Sequence, residues 1–285
     1  MVIPRAVIRD LHTGIEAARL MSLVMLVLSV SPILAPLTGS ALIAPFGWRA
    51  IFVAVTFVAA LAFGLTALCL PETRPPEECV RFGLASAAAG FAQLLHHERF
   101  VALTFIGGFS LASFFVFLAG SSFIYIDHFG LTPRQFSVAF AVNAIGFIGS
   151  SQFAAPLAKR FGMVRVVIIA VFLYAFFALV LFGVTAAGVD SLAVLMALLF
   201  AIFACVGLVA PSAMVLALEE HGPVAGAASA LAGTLQMLAS GVVIVVVSMF
   251  FYENALPMAA AIALCSMVAL ALSFFTLGWP ELVPQ

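Results

Sequence analysis

The stretch SLVMLVLSVSPILAPLTGS, residues 22–40, decides the fold of this chain. It is apolar over the length of a membrane-spanning helix, and Ser31, Ala35 and Gly39 recur at every fourth residue. This spacing puts three small side chains on one helix face, where a neighbouring backbone can approach closely. The two prolines are compatible with a membrane helix, because neighbouring helices can satisfy the freed carbonyls. We therefore expect a bent, tightly packed helix, although a generic contact between small residues fits the same spacing.

The composition is that of a membrane protein. Hydrophobic residues make up 65% of the chain, charged residues make up 8%, and the mean hydropathy is +1.29. A soluble domain has roughly 45–50% apolar and about 25% charged residues. The basic residues are scattered, which argues against a nucleic-acid-binding surface. The four cysteines lack the spacing of a metal or redox site, and the sequence contains no hydrolase or phosphate-binding motif, so we predict no metal, no catalytic residue and no enzyme.

Apolar runs of roughly 20 residues, the length needed to cross the hydrocarbon core, predict eight complete membrane spans. The predicted spans are residues 20–44, 48–70, 100–125, 136–158, 164–187, 191–216, 224–251 and 255–279. With alternating spans, nine of the 11 basic residues fall on one side of the membrane, and only Arg49 and Arg134 fall on the other. Because short cytoplasmic loops are enriched in Lys and Arg, this bias predicts that both termini are cytoplasmic.

The one long connection divides the chain into three predicted parts. Residues 71–99 begin with the polar string PETRPPEE and continue as GLASAAAGFAQLLHH, which predicts a short helix on the membrane surface. This cytoplasmic linker separates the remnant of a first bundle, residues 1–70, from a six-helix bundle, residues 100–285. The arrangement is typical of a transporter made of two halves. We expect three helices and most of a fourth to be missing from the first half.

Several strings resemble the major facilitator superfamily, and within it the bicyclomycin-resistance (Bcr/CflA) branch of drug:proton antiporters. RAVIRD at 5–10 is similar to the cytoplasmic end of the family's helix 4, and PFGWRAIF at 45–52 is similar to the turn between its helices 5 and 6. The antiporter motif of helix 5, G-x8-G-x3-G-P-x2-G-G, keeps its spacing here, but four of its five glycines are Ser or Ala. Its positions fall on Ser22, Ser31, Ala35, Pro36, Gly39 and Ser40. The resemblance implies that the eight spans correspond to helices 5–12.

Three segments of the second half strengthen this resemblance. Residues 115–146 are similar to the family's helix 7, outer loop and start of helix 8, and residues 207–237 are similar to helix 10, the cytoplasmic turn and helix 11. APLAKRFGMVR at 155–165 is similar to the cytoplasmic loop motif G-x-L-A-D-R-x-G-R-R. The matched positions are Lys159, Arg160, Gly162 and Arg165. Lys159 stands where the family has an acidic residue, and this difference removes a charge relay from the loop.

The candidate substrate residues also lie in the second half. In transporters of this architecture the substrate binds near the middle of the membrane, and a drug-sized hydrophobic ligand needs aromatic walls with a few polar groups. The residues that fit are Phe114, Phe115, Phe117, Tyr125, Asn143 and Gln236. For the two amides, a hydrogen bond that fixes helix packing is the alternative. For the phenylalanines, the alternative is contact with lipid or with one another.

Proton coupling needs an ionisable group within the membrane, and the predicted spans contain no Asp, Glu, Lys or Arg away from their ends. The resemblance implies that the coupling acid belongs to the missing helices. It implies no cofactor beyond a proton gradient.

The resemblance thus implies a monomeric multi-pass protein of the bacterial inner membrane. Its complete form would export a small hydrophobic drug or metabolite by proton antiport through alternating access, with the lipid bilayer as its other partner. This chain alone is expected to be inactive. A non-transporting remnant of an interrupted gene, or a membrane partner protein, is the alternative. A channel is disfavoured, because the sequence has no charged ring or filter string.

Overall fold

The computed structural model describes residues 38–69, 84–219, 225–249 and 255–278, together with isolated positions between residues 16 and 35. All regular secondary structure in these residues is helical. The chain divides into two compact units, Met1–Phe82 and Gly83–Gln285. The boundary between the units falls within residues 71–99, where the sequence predicts a linker.

The first unit contains a helical stretch that ends at residue 46 and helix α1, Arg49–Cys69. The break between them lies at Gly47, whose φ of 73° is unfavourable for a residue with a Cβ. The Gly47 amide donates a hydrogen bond to the Ile43 carbonyl at 2.9 Å, which closes the last turn of the first helix. At the start of α1, the Arg49 guanidinium lies 4.5 Å from the centroid of the Trp48 ring, a cation–π contact.

The second unit is a bundle of six membrane-length helices preceded by a short one. The short helix is α2, Leu84–Leu95, within the range predicted to contain a surface helix. The long helices are α3, Glu98–Ser122, which continues as a π-helix over Phe123–His128; α4, Pro133–Phe161; α5, Met163–Ala186; α6, Leu192–Glu219; α7, Ala225–Ser248; and α8, Leu256–Leu277.

Helix α3 lies at the centre of this bundle and contacts α6, α7 and α8. Helix α6 also packs on α4 and α5, and α8 packs on α5. The buried face of α3 contains Gly107, Gly108, Ala112 and Gly120, small residues that let neighbouring backbones approach closely. Large apolar side chains such as Phe172 on α5 instead lie exposed on the outside, as expected for a surface that faces lipid.

Seven of the described helices are long and apolar enough to cross a membrane, and they match seven of the eight predicted spans. The chain is therefore an all-α, multi-pass membrane protein. The remaining predicted span, residues 20–44, lies mostly outside the described residues. Those of its positions that the structure describes are helical.

Helix bounds differ from the prediction where local chemistry extends a helix. Helix α4 begins at Pro133 instead of residue 136, because Thr132 and Gln135 form a capping box. The Gln135 side-chain oxygen accepts from the Thr132 amide at 2.9 Å, and the Thr132 hydroxyl accepts from the Gln135 amide at 3.3 Å. The helix that begins at Glu98 continues to His128 instead of residue 125, because its last residues adopt π-helical geometry.

Candidate substrate site in the second unit

Phe117 is the centre of a group of aromatic rings inside the second unit. Its ring stacks on Phe140 with centroids 5.6 Å apart, and it lies 4.9 Å from Phe203 and 6.3 Å from Tyr125. Phe117 is fully buried. We name the group the aromatic cluster, and its members are Phe114, Phe117, Tyr125, Phe136, Phe140, Phe147 and Phe203. The rings come from α3, its π-helical extension, α4 and α6.

The π-helix positions Tyr125 in this cluster. Its wider turns bury Ile124 and Tyr125, whereas Phe123 is 62% exposed. The segment closes with hydrogen bonds from the Phe129 amide to the Ile124 carbonyl at 3.0 Å and from the Leu131 amide to the Tyr125 carbonyl at 2.9 Å. Short π-helical segments are rare and occur frequently at functional sites.

Asn143 on α4 is the polar group of the cluster. It is fully buried, and its Nδ2 donates hydrogen bonds to the Tyr125 hydroxyl at 3.3 Å and to the Ala139 carbonyl at 3.1 Å. The Ala139 carbonyl can only accept, and this fixes which end of the amide carries the nitrogen. Asn143 Oδ1 has no hydrogen-bond partner among the described residues. The amide therefore presents an unused acceptor in an apolar, aromatic environment.

Phe114 and Phe147 form the accessible edge of the aromatic cluster. Their rings stack with centroids 5.3 Å apart, and both residues are half-buried. Phe114 also meets Phe203 edge-to-face at 5.7 Å, which connects this edge to the buried rings. Phe115 is half-buried as well and lies 6.1 Å from Phe114. Five of the six predicted substrate residues thus lie in or beside one cluster.

Gln236 lies at a different helix contact, between α7 and α3. Its Nε2 donates to the Thr104 carbonyl at 3.4 Å, and its side chain lies against Gly107 and Gly108. The side chain is almost completely buried. Within the described residues, the Thr104 hydroxyl next to this contact has no hydrogen-bond partner. The arrangement joins two helices through one amide, which is the packing role that the sequence analysis held open for Gln236.

The positions of the antiporter motif are only partly described. Ser22 and Pro36 lie outside the described residues, and Ser31, Ala35, Gly39 and Ser40 are all helical. The Ser31 hydroxyl donates to the Val27 carbonyl at 2.7 Å. A Cβ built on Gly39 would lie 3.9 Å from Ile51 Cδ1, an ordinary van der Waals contact.

The basic loop motif is a turn of one residue between α4 and α5. Gly162 caps both helices, and its φ of 84° requires glycine in practice. Lys159 and Arg160 lie exposed in the last turn of α4, and the Arg160 guanidinium lies 5.2 Å from the centroid of the Phe161 ring. Arg165 is exposed in the first turn of α5. In the part of the chain that the structure describes, no group of His, Cys, Asp and Glu has the arrangement of a metal site.

The sequence analysis missed four members of the aromatic cluster. Phe136, Phe140 and Phe147 share a face of α4 with Asn143, because their spacings of four, three and four residues follow the helical period. This periodicity would have identified them. Phe203 had no such signal, because it lies in an uninterrupted apolar run on α6.

Comparison with known proteins decides the family. The model of the Major Facilitator Superfamily matches residues 1–244. The chain belongs to the major facilitator superfamily. Its relatives include the uncharacterized MFS-type transporter YdgK of Bacillus subtilis, which is 30% identical over 97% of this chain and 69% of its own length. The bicyclomycin resistance protein homolog of Haemophilus influenzae is 26% identical over 96% of the chain and 69% of its own length.

A further relative is the multidrug resistance protein D of Escherichia coli, with 30% identity over 85% of this chain and 60% of its own length. Membership in the major facilitator superfamily makes this protein a transporter and not an enzyme. For an MFS transporter, an aromatic cluster with a buried amide is a chemically suitable place for an apolar substrate.

Proposed function

We propose that this chain is part of an exporter in the bacterial inner membrane. The exporter would use the proton gradient to export small hydrophobic drugs or metabolites. The observation that carries the proposal is the aromatic cluster with the unused acceptor of Asn143. Flat apolar molecules bind between such rings, and one hydrogen bond from the substrate to Asn143 would orient them. Two of the relatives are named for bicyclomycin resistance and for multidrug resistance, which supports a drug as the substrate.

The burial of Phe117, Tyr125 and Asn143 has a consequence for transport. A substrate meets the half-buried rings of Phe114 and Phe147 first and reaches Asn143 only when the helices separate. Alternating access, in which helical bundles move about a fixed site, would give access to Phe114 and Phe147, and a movement of α4 within its own bundle would then be needed to reach Asn143. We propose that the protein acts as a monomer in the bilayer, with both termini on the cytoplasmic side.

Proton exchange needs a titratable group inside the membrane. Asp, Glu, Lys and Arg are restricted to the ends of helices α1 and α3–α8. We therefore propose that the coupling group lies outside these helices and that the present chain contributes substrate contacts and helix movement. Expressed alone, the chain is expected to give no proton-dependent export.

A fusion of this chain to the part of YdgK that the alignment does not cover tests the proposal. Cells with the fusion should survive bicyclomycin and extrude ethidium, and a protonophore should abolish both effects. Phe114→Ala in the fusion should reduce ethidium export about fivefold, because one aromatic contact contributes roughly 1 kcal/mol. The matched control is Phe172→Ala, which removes an exposed ring of α5 and should leave export unchanged.

Purified wild-type chain provides a measurement that does not depend on the fusion. It should bind ethidium in detergent more tightly than the Phe114→Ala and Asn143→Ala variants do, at a temperature where circular dichroism shows that all three proteins are folded. If the two variants bind as well as wild type, the aromatic cluster is not the substrate site. A chain that binds no drug and a fusion that exports none would instead favour a non-transporting membrane protein.

A further inference from the structure

A cleft of about 540 Å³ lies among helix ends at the basic end of the second unit, the end that contains Arg99, Lys159, Arg160 and Arg165. Arg99 in the first turn of α3 and Arg165 in the first turn of α5 both line it. The turn at Gly162 and the last residues of α6 and α8 complete the walls. The cleft is separate from the aromatic cluster, with which it shares no lining residue.

The walls of the cleft change from charged to apolar. The two arginines and Glu219 supply the charge, and Ile168, Leu216 and Leu277 are among the apolar residues. These residues lie at the ends of membrane-spanning helices, where hydrocarbon gives way to headgroups. An amphipathic ligand, with a charged group and an apolar body, matches this lining. Basic pockets between helices at this depth are suited to anionic lipid headgroups.

The charge of the lining limits which anion fits. Among the described lining residues, two guanidinium groups and one carboxylate leave a single net positive charge, which one phosphodiester group neutralises. A phosphomonoester carries close to two negative charges at neutral pH and would leave the cleft with an excess negative charge. Guanidinium groups also match phosphate geometry, with two parallel N–H donors facing two oxygens.

The loop between α4 and α5 brings no opposing negative charge to the cleft. With Lys159 and Arg160 next to Gly162 and Arg165 after it, the described loop between α4 and α5 has no acidic side chain. The first turn of α5 has neither a side-chain cap nor an acidic residue, so its amide dipoles oppose the negative potential of the C-terminal ends of α4, α6 and α8 at the same cleft.

We propose that this cleft binds the phosphodiester headgroup of an anionic phospholipid, with Arg99 and Arg165 holding the phosphate and the apolar wall receiving the start of an acyl chain. Binding there would join α3, α5, α6 and α8 at one end of the bundle. Membranes that contain anionic lipid would then favour one arrangement of these helix ends over others.

Native mass spectrometry of the purified chain in neutral detergent, with equal amounts of dioleoyl phosphatidylglycerol and dioleoyl phosphatidylcholine, tests this proposal. Wild-type protein should retain phosphatidylglycerol in clear preference to phosphatidylcholine. Arg165→Gln should lower phosphatidylglycerol binding about fivefold, the effect of one basic residue near a lipid phosphate. Glu219→Gln should raise it, because the repelling carboxylate is gone.

Arg160→Gln is the matched control, because Arg160 belongs to the same loop but does not line the cleft. It should bind phosphatidylglycerol as wild type does, and Arg165→Lys should retain more binding than Arg165→Gln. Circular dichroism and size-exclusion chromatography establish that each variant is folded. Equal binding of the two lipids to wild type, or equal losses in Arg160→Gln and Arg165→Gln, would overturn the proposal. Displacement of the lipid by excess inorganic phosphate would assign the cleft to soluble phosphate and also overturn it.

Discussion

At the scale of single residues, the hydrogen bonds of Asn143 have the clearest consequence for stability and for substrate binding. An amide inside an apolar bundle costs free energy unless it is hydrogen-bonded, and here only its nitrogen has partners among the described residues. The same side chain therefore stabilises the contact between α4 and the π-helix and leaves one acceptor unused. Packing and substrate orientation, the two interpretations that the sequence left open, use opposite ends of this one amide.

We expect Asn143→Ala to lower the free energy of unfolding by about 1 kcal/mol, because hydrogen bonds between membrane helices contribute roughly 0.6 kcal/mol on average and at most about 1.7 kcal/mol. Tyr125→Phe, which removes the other partner, should cost less. In a double-mutant cycle measured by unfolding in detergent, the two changes should couple by about 0.6 kcal/mol. Fully additive effects would show that the hydrogen bond contributes nothing to stability.

At the scale of helices, close contacts at two glycines set how α6 packs on α4 and how α3 packs on α7. A Cβ on Gly207 of α6 would overlap the carbonyl oxygen of Phe147 and the hydroxyl of Ser150, both on α4. A Cβ on Gly107 of α3 would lie 2.8 Å from Gln236 Nε2, the far end of a flexible side chain. The first contact involves backbone, which cannot move without shifting a helix, and the second can be relieved by a change of rotamer.

Gly207→Ala should therefore destabilise the protein by about 1–3 kcal/mol, the usual cost of overpacking. Gly107→Ala should cost less, mainly the loss of the Gln236 hydrogen bond. The matched control is Gly233→Ala in α7, where the added methyl meets no atom within 4 Å and should be neutral or stabilising by up to about 1 kcal/mol. Thermal unfolding in detergent should rank the three variants in this order, and a Gly207→Ala variant as stable as Gly233→Ala would contradict the packing of α4 on α6.

The existence of the helices was predictable, and some of their internal geometry was not. Runs of about 20 apolar residues specify a membrane helix almost independently of its surroundings, because every backbone group must be satisfied within the bilayer. The π-helical segment at Phe123–His128 leaves no such mark in the sequence. The segment forms where the free energy that Tyr125 gains by packing in the cluster exceeds the free-energy cost of the wider turns. That gain depends on residues of other helices.

At the scale of the whole molecule, the distribution of charge predicts how the chain crosses the membrane. In the second unit, Arg99, Lys159, Arg160 and Arg165 lie at one end of the bundle, and Arg134 lies at the other with Asp190 and His128. His128 Nε2 and Asp190 Oδ1 are 2.8 Å apart, so these two side chains at the less basic end form a hydrogen bond. The basic end is expected to face the cytoplasm.

Reporter fusions test this orientation. Alkaline phosphatase fused within residues 71–99 should be inactive, and the same enzyme fused after Asp127 should be active, because it folds only outside the cytoplasm. Green fluorescent protein should give the opposite pattern at the same two positions. Phosphatase activity of the fusion within residues 71–99 would show that the topology is the reverse of the proposed one. It would also place the cleft at Arg99 and Arg165 in the other leaflet.

The family was predictable from short strings, and the membership of the aromatic cluster was predictable only in part. PFGWRAIF at 45–52 contains a turn whose glycine and neighbouring Trp and Arg are constrained locally, so such strings identify a family without any tertiary information. The cluster combines three separate segments, and the positions of Phe117 and Phe203 relative to each other depend on how α3 crosses α6. No local pattern specifies that crossing.

The turn at Gly162 also bears on how the protein is made. A 29-residue helix and a 24-residue helix are joined by one residue that belongs to neither. A connection of one residue is too short for α4 to enter the bilayer while α5 remains in the aqueous channel of the insertion machinery. We therefore expect the two helices to leave that machinery as one hairpin. Helix α4 is less hydrophobic than α5, and insertion as a hairpin would let the strongly apolar α5 carry α4 into the lipid.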